Sequence, residues 1–235
     1  SGFAIPANMA RYLMESLVKD GAGTRGYLGV MIQDLTPALA KQFGIDAETK
    51  GALVGDVTSK SPAEKAGLKT GDVVTEFNGK KVRDSRQLKL EVAETKPGTT
   101  VPLTVLRDGD KETLKVTVKE LPGTEKLAKS NPNNHEDEGT LNAVGVADLD
   151  ENARHELNAP NNLKGVVVTQ VDPSSAAADA GLRTGDVILE INRKPIKTAD
   201  EAVELTQNAK DKTTLLRVWR DGGTRFVVVD ESKAG

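Results

Sequence analysis

The nonapeptide AGLKTGDVV at residues 66–74 returns as AGLRTGDVI at residues 180–188. Gly67 and Gly181 stand 114 apart (181 − 67), as do Gly71 and Gly185, Asp72 and Asp186, and Asn78 and Asn192. Across residues 51–78 and 165–192, 14 of 28 positions are identical without a gap. A repeat this long means two homologous units, each of which buries a core of its own. The 235 residues then divide into two domains of about 100 residues, not one large one.

The match continues on both sides. DLTPALAKQFGI at residues 34–45 precedes DLDENARHELNA at residues 148–159 by the same interval, and each predicts a short helix with Leu39 and Phe43, or Ala153 and Leu157, on one face. Downstream, LTVLRDGD answers LRVWRDGG, and Asp-Gly between alternating apolar runs predicts a tight hairpin. Each unit reads strand, short helix, strand, turn, strand, helix, hairpin: an α+β class, mostly β. Ser61 has the chemistry of a helix N-cap with Pro62 at the first helical position, Gly67 closes that turn, and Gly71 and Asp72 lead into a strand over residues 73–77. The repeated nonapeptide is thus a structural corner whose glycines serve backbone geometry.

Composition narrows the function classes. A formal net charge of −3 argues against a nucleic-acid binder, and no apolar run approaches the roughly 20 residues of a membrane span. Cysteine is absent, which excludes disulfides and thiolate metal sites. Neither a metal-ligand cluster nor a phosphate-cradling glycine loop is present, so no metal and no cofactor are expected. His135 and His155, the only histidines, read as solvated surface residues. The stretch at residues 120–140 lacks apolar periodicity and is rich in Pro, Asn, Gly and charge; it reads as a linker permitting hinged motion. The chain opens with SGFAIP, without the regions of a signal peptide, as if cut from something longer.

The order of elements, the AG-[LI]-x-x-GD-[VI]-[IV]-x-x-[FI]-N corner and the YLGV stretch at residues 27–30 resemble the PDZ domain in its circularly permuted bacterial form. Two such units behind SGFAIPANMARYLMESLVKDG look like the C-terminal part of an HtrA (Do-like, DegP/DegQ type) serine protease. The resemblance implies two PDZ-like, partly open β-barrels or sandwiches, each capped by two helices and preceded by an N-terminal helix carrying Met9, Tyr12, Leu13 and Leu17 along one side. It implies the end of a protease domain and a linker at residues 1–24, a first PDZ domain at 25–120, a linker at 121–139 and a second PDZ domain at 140–235. The family's Ser-His-Asp triad and GNSGG loop would lie upstream, so this chain would not itself be an enzyme, whereas its parent would be a serine endopeptidase of the bacterial periplasm. Its partners would be peptides or C-termini of unfolded proteins and its own protease domain. The parent would be oligomeric through that domain, and this segment would be monomeric.

A PDZ-like groove takes an incoming chain as an added strand and holds its terminal carboxylate on successive backbone N–H groups. In the first unit that loop would be Tyr27, Leu28, Gly29 and Val30, with Arg25 as a cationic helper, and Leu88 and Val92, four apart on a helix, would form the far wall unless they are plain core. In the second unit the corresponding loop would be Ala143, Val144, Gly145 and Val146, on an edge strand two residues shorter. Leu88 and Val92 would map to Ala202 and Thr206 or to Val203 and Gln207, giving a smaller or more polar pocket. Losing one buried aliphatic contact costs about 1.5 to 3 kcal/mol, so the first unit is expected to be the main peptide receptor and the second to serve assembly or interdomain contact. A non-proteolytic scaffold that tethers partners by their C-termini is the other reading.

Overall fold

The computed structural model describes residues 25–121, 139–141, 143–207 and 212–233. The expected leader helix at residues 1–24, most of the expected linker and His135 lie outside them.

The first unit runs β1 (Gly26–Tyr27), β2 (Val30–Asp34), α1 (Pro37–Gln42), β3 (Ala52–Val57), α2 (Pro62–Lys65), β4 (Val73–Phe77), β5 (Lys80–Lys81), α3 (Ser85–Glu94), β6 (Thr100–Arg107), β7 (Asp110–Thr117) and β8 (Lys119–Glu120). The second repeats it as β9 (Gly139–Leu141), β10 (Val144–Asp148), α4 (Glu151–Glu156), β11 (Val166–Val171), α5 (Ala176–Asp179), β12 (Val187–Ile191), β13 (Lys194–Pro195), α6 (Ala199–Gln207), β14 (Thr213–Arg220) and β15 (Gly223–Asp230), then a 3₁₀ turn at Glu231–Lys233. The sheets are antiparallel and open, in the orders β2-β3-β4-β6-β7 and β15-β14-β12-β11-β10-β9.

Local chemistry sets these elements. Thr36, Ser61, Asp84, Asp150 and Ser175 cap α1 to α5 in turn, each side chain accepting a first-turn N–H. At both predicted hairpins the Asp-Gly pairs take positive φ, 51° and 86° at Asp108 and Gly109 and 48° and 82° at Asp221 and Gly222, as a tight primed turn demands. The repeated corner does more than turn the chain. Asp72, 1% exposed, receives Arg107 Nε at 2.8 Å and Nη2 at 2.7 Å, while Arg107 Nη2 also caps the Gly67 carbonyl at 2.9 Å. Asp186 and Arg220 repeat that fork at 2.6 and 2.6 Å, with Gly181 as the carbonyl. A carboxylate forced inside by the corner is thus neutralised by the arginine that ends the strand before the hairpin, in both copies.

Each unit packs its own core, the first around Phe77, Leu88 and Leu103, the second around Ile188, Ile191 and Leu216. A third cluster is shared: Leu35, Leu39, Phe43 and Ile45 of the first unit close over Leu215 and Phe226 of the second. The Phe43 and Phe226 rings meet edge to face at 5.0 Å, and Arg193 stacks on Phe43 while pairing with Asp108 at 2.8 Å. The two units are thus in packed contact, through apolar side chains that β14 and β15 keep on their outer face.

Candidate functional site

Strand β2 pairs with β3 on one side only; among the described residues its other margin is open. Beside that margin runs α3, and between them lies a cleft of about 160 Å³, open to solvent, lined by Tyr27, Leu28, Gly29, Val30, Leu88 and Val92, together with Gly26, Ile32 and Lys89. Six of the seven first-unit residues singled out in the sequence meet here. Arg25 does not line the cleft; it is exposed, and its carbonyl accepts from Leu121 N–H at 2.9 Å. Leu88, 1% exposed, and Val92, 8%, belong to the core and to the cleft wall at once. Lys89 was not anticipated, since a lysine on an amphipathic helix signals only solvent.

The loop entering β2 is held from behind. Leu28 and Gly29 carbonyls accept from Ala63 N–H at 2.9 Å and Thr58 N–H at 2.8 Å, and no described residue accepts from the Leu28 or Gly29 N–H. Gly29 has φ 78°, and a Cβ there would stand 2.3 Å from Ser61 Cβ, so only glycine lets the loop lie against the α2 cap. The mouth is set by Asp34 at the far end of β2, which accepts from Ser85 N–H at 2.8 Å and Ser85 Oγ at 2.7 Å and so ties β2 to the start of α3. Those hydrogen bonds hold the Asp34 carboxyl below its usual range. At the other end Lys119 stands opposite Tyr27 in register, and the Lys65 amine beside it holds Lys119 below the usual lysine value.

The second unit corrects the alignment read from the sequence. Strand β10 is five residues long, as β2 is, and not two shorter. Each carries its irregularity at the equivalent step, Met31/Ile32 and Gly145/Val146. The left-handed position of Gly29 is filled by Ala143, φ 67°. Val144 and Val146, both fully buried, therefore stand where Val30 and Ile32 do, and Gly145 stands where Met31 does, not Gly29. Asp148 accepts from Ala199 N–H at 2.7 Å as Asp34 does from Ser85. This register makes Ala202 and Thr206 the counterparts of Leu88 and Val92, and Val203 the counterpart of Lys89, which lines the first cleft. Thr206 Oγ1 bonds back to the Ala202 carbonyl at 2.9 Å.

No group of three His, Cys, Asp or Glu side chains that could hold a metal occurs among the described residues, nor does any helix long and apolar enough to cross a membrane. Residues 26–118 and again residues 167–220 match the PDZ-domain family, and the chain belongs to it: a tandem of PDZ domains. The tandem is homologous to the C-terminal part of DegP-like periplasmic serine endoproteases. It is 38% identical over 231 residues to one from Rhizobium meliloti, covering 97% of this chain and 45% of that protein. It is 39% identical over 236 residues to one from Bartonella henselae, covering 97% and 44%. The chain thus spans less than half the length of the curated relatives it matches. Among solved structures, that of the HtrA-type protease AlgW with decapeptide shares 38% identity over 52% of this chain and 38% of that one, with a TM-score of 0.43.

Proposed function

We propose that this chain is the peptide-binding regulatory segment of a periplasmic HtrA-type serine endoprotease, and that its first PDZ domain receives C-terminal or extended apolar segments of misfolded proteins by strand addition. The observation that carries this reading is the open margin of β2 beside a cleft, with the Leu28 and Gly29 N–H groups directed to no described acceptor. An incoming chain would pair with β2, place its terminal carboxylate on those amides, and bury its last side chain against Leu28, Leu88 and Val92. Chemistry would occur on the protease domain of the parent chain, which is the partner to which the captured segment is delivered.

The test is a titration of the ¹⁵N-labelled chain with a hexapeptide of alternating Thr and Val ending in a free Val carboxylate. Saturable shifts at Leu28, Gly29, Val30 and Ile32, lost when the peptide carries a C-terminal amide, support the reading. Shifts that leave these four amides unmoved, or an amidated peptide that binds equally well, overturn it.

A further inference from the structure

In the second domain the place of an added strand is already taken. Strand β9 pairs antiparallel with β10 in the register Leu141 to Val144, Thr140 to Gly145 and Gly139 to Val146, and lies against α6. That is the position, between edge strand and helix, which stays open as the cleft of the first domain.

The cause lies at the far end of each unit. In the first domain the residues ahead of the edge strand pair with β8 instead of folding back onto β2: Tyr27 stands opposite Lys119 and Gly26 opposite Glu120. The chain reaches β8 because Val118, fully buried, carries it across the core. Glu231 occupies the matching position: its N–H donates to the Lys212 carbonyl at 2.8 Å as the Val118 N–H does to Thr99 at 3.0 Å. A carboxylate without a buried partner resists that path, and the chain turns into the 3₁₀ segment Glu231–Lys233. No counterpart of β8 forms among the described residues. Ahead of β10, Ala143 lies in the left-handed region, φ 67°. Ala202 and Thr206, smaller than Leu88 and Val92, leave room for a backbone on the helix side.

We infer that the second PDZ domain carries a latent strand-addition site for extended apolar peptides, occupied in cis by its own Gly139–Leu141 segment. A tether this short gives the occupant an effective concentration on the order of mM or above. At an intrinsic dissociation constant of about 10 μM for the tethered segment, that concentration weakens the binding of a competing peptide roughly a hundredfold.

The experiment uses the whole chain and the same alternating Thr and Val hexapeptide, read separately at the amides of Val144, Val146 and Ala147 for the second site and of Leu28 to Ile32 for the first. In the parent chain the β10 amides exchange slowly and do not shift with peptide. In Gly139→Pro/Leu141→Pro, whose prolines cannot donate to β10, those amides exchange faster and take up peptide at least tenfold more tightly than in the parent. Deletion of residues 131–141 gives the same gain without introducing proline, and Trp219 fluorescence confirms that the second domain is folded in each variant. Peptide binding at β10 equally tight in parent and variants, or folded variants with no binding at β10 at mM peptide, would overturn the inference. Silence at Leu28 to Ile32 would bear on the first site alone.

Discussion

Gln33 is bonded to the main chain of Phe226 at both ends of its side-chain amide: Nε2 donates to the Phe226 carbonyl at 2.9 Å, and Oε1 accepts from the Phe226 N–H at 2.6 Å. One position back on the same face of β2, Met31 Sδ accepts from Thr224 N–H at 3.1 Å. The alternate residues, Val30 and Ile32, line the cleft. The strand expected to receive peptide is therefore braced from behind by β15 of the other domain. Gln33→Leu leaves two main-chain groups without partners, at about 1 to 3 kcal/mol each where water is excluded. The expected result is partial separation of the domains, measured as a larger radius of gyration by small-angle scattering, with unchanged Trp219 emission.

Gly55 gives a second, independent lever on the same contact. A Cβ at Gly55 would stand 2.5 Å from the Thr224 carbonyl oxygen, while Arg217 Nε donates to the Gly55 carbonyl at 3.0 Å. The equivalent strand position in the second domain holds Thr169, so the fold itself accepts a side chain there. Gly55→Thr should therefore spare the first core and open the interface. The nuclear Overhauser contact between the Phe43 and Phe226 rings should disappear while amide shifts of the buried Leu103 and Val105 stay in place.

What could be read from the sequence was whatever depends on short spacing. The interval of 114, the Asp-Gly hairpins, the α2 cap at Ser61 and the Leu88/Val92 pair all express periodicity or turn chemistry within a few residues. The Asp72 to Arg107 fork joins residues 35 apart, so Asp72 read only as a turn residue. Gly55 carries no local sign of its role, because nothing in the surrounding sequence distinguishes a strand glycine that meets a neighbouring domain. The misplacement of Gly145 has a sharper cause. Shared letters at residues 29–30 and 145–146 suggested a shortened strand, whereas the left-handed position is held by alanine, which rarely adopts it. The covered margin of β10 was invisible for the same reason, since it follows from Glu231 standing where Val118 does.

The buried forks should dominate stability. Arg107→Met leaves Asp72 charged, 1% exposed and without its main partner, and removing one member of a buried pair costs about 3 to 5 kcal/mol. Arg220→Met does the same to Asp186. Chemical denaturation followed at Trp219, the single tryptophan, should show a large loss for Arg220→Met and a much smaller one for Arg107→Met, whose damage is confined to the first core. Equal shifts at Trp219 would mean that the two domains unfold as one.

The Asp34 clamp should titrate in acid. Its hydrogen bonds from Ser85 depress the folded-state pKa below the ordinary 3.8. The sign follows: the clamp's contribution is complete above that value and is lost as pH falls below 3.8 through the lower folded pKa. The Ser85 amide resonance should move upfield over that acid range as its bond weakens, and Asp34→Asn should abolish the transition. A midpoint above the ordinary value would contradict the hydrogen-bonded carboxylate.

The cleft wall can be tested by copying one domain into the other. Val92→Thr installs the residue found at the equivalent Thr206, whose hydroxyl bonds back to the Ala202 carbonyl; the new hydroxyl has the Leu88 carbonyl within the same reach, so no orphaned polar group results. The change removes about one methyl of apolar contact, roughly 1 kcal/mol or a fivefold loss of affinity for a peptide ending in Val. A peptide ending in Ser, which places little apolar surface on this wall, should lose less than twofold. Titration of both peptides against parent and variant checks the difference. Equal losses for the two would show that Val92 supports the helix without touching the last side chain, and would leave Leu28 and Leu88 as the whole of the apolar wall.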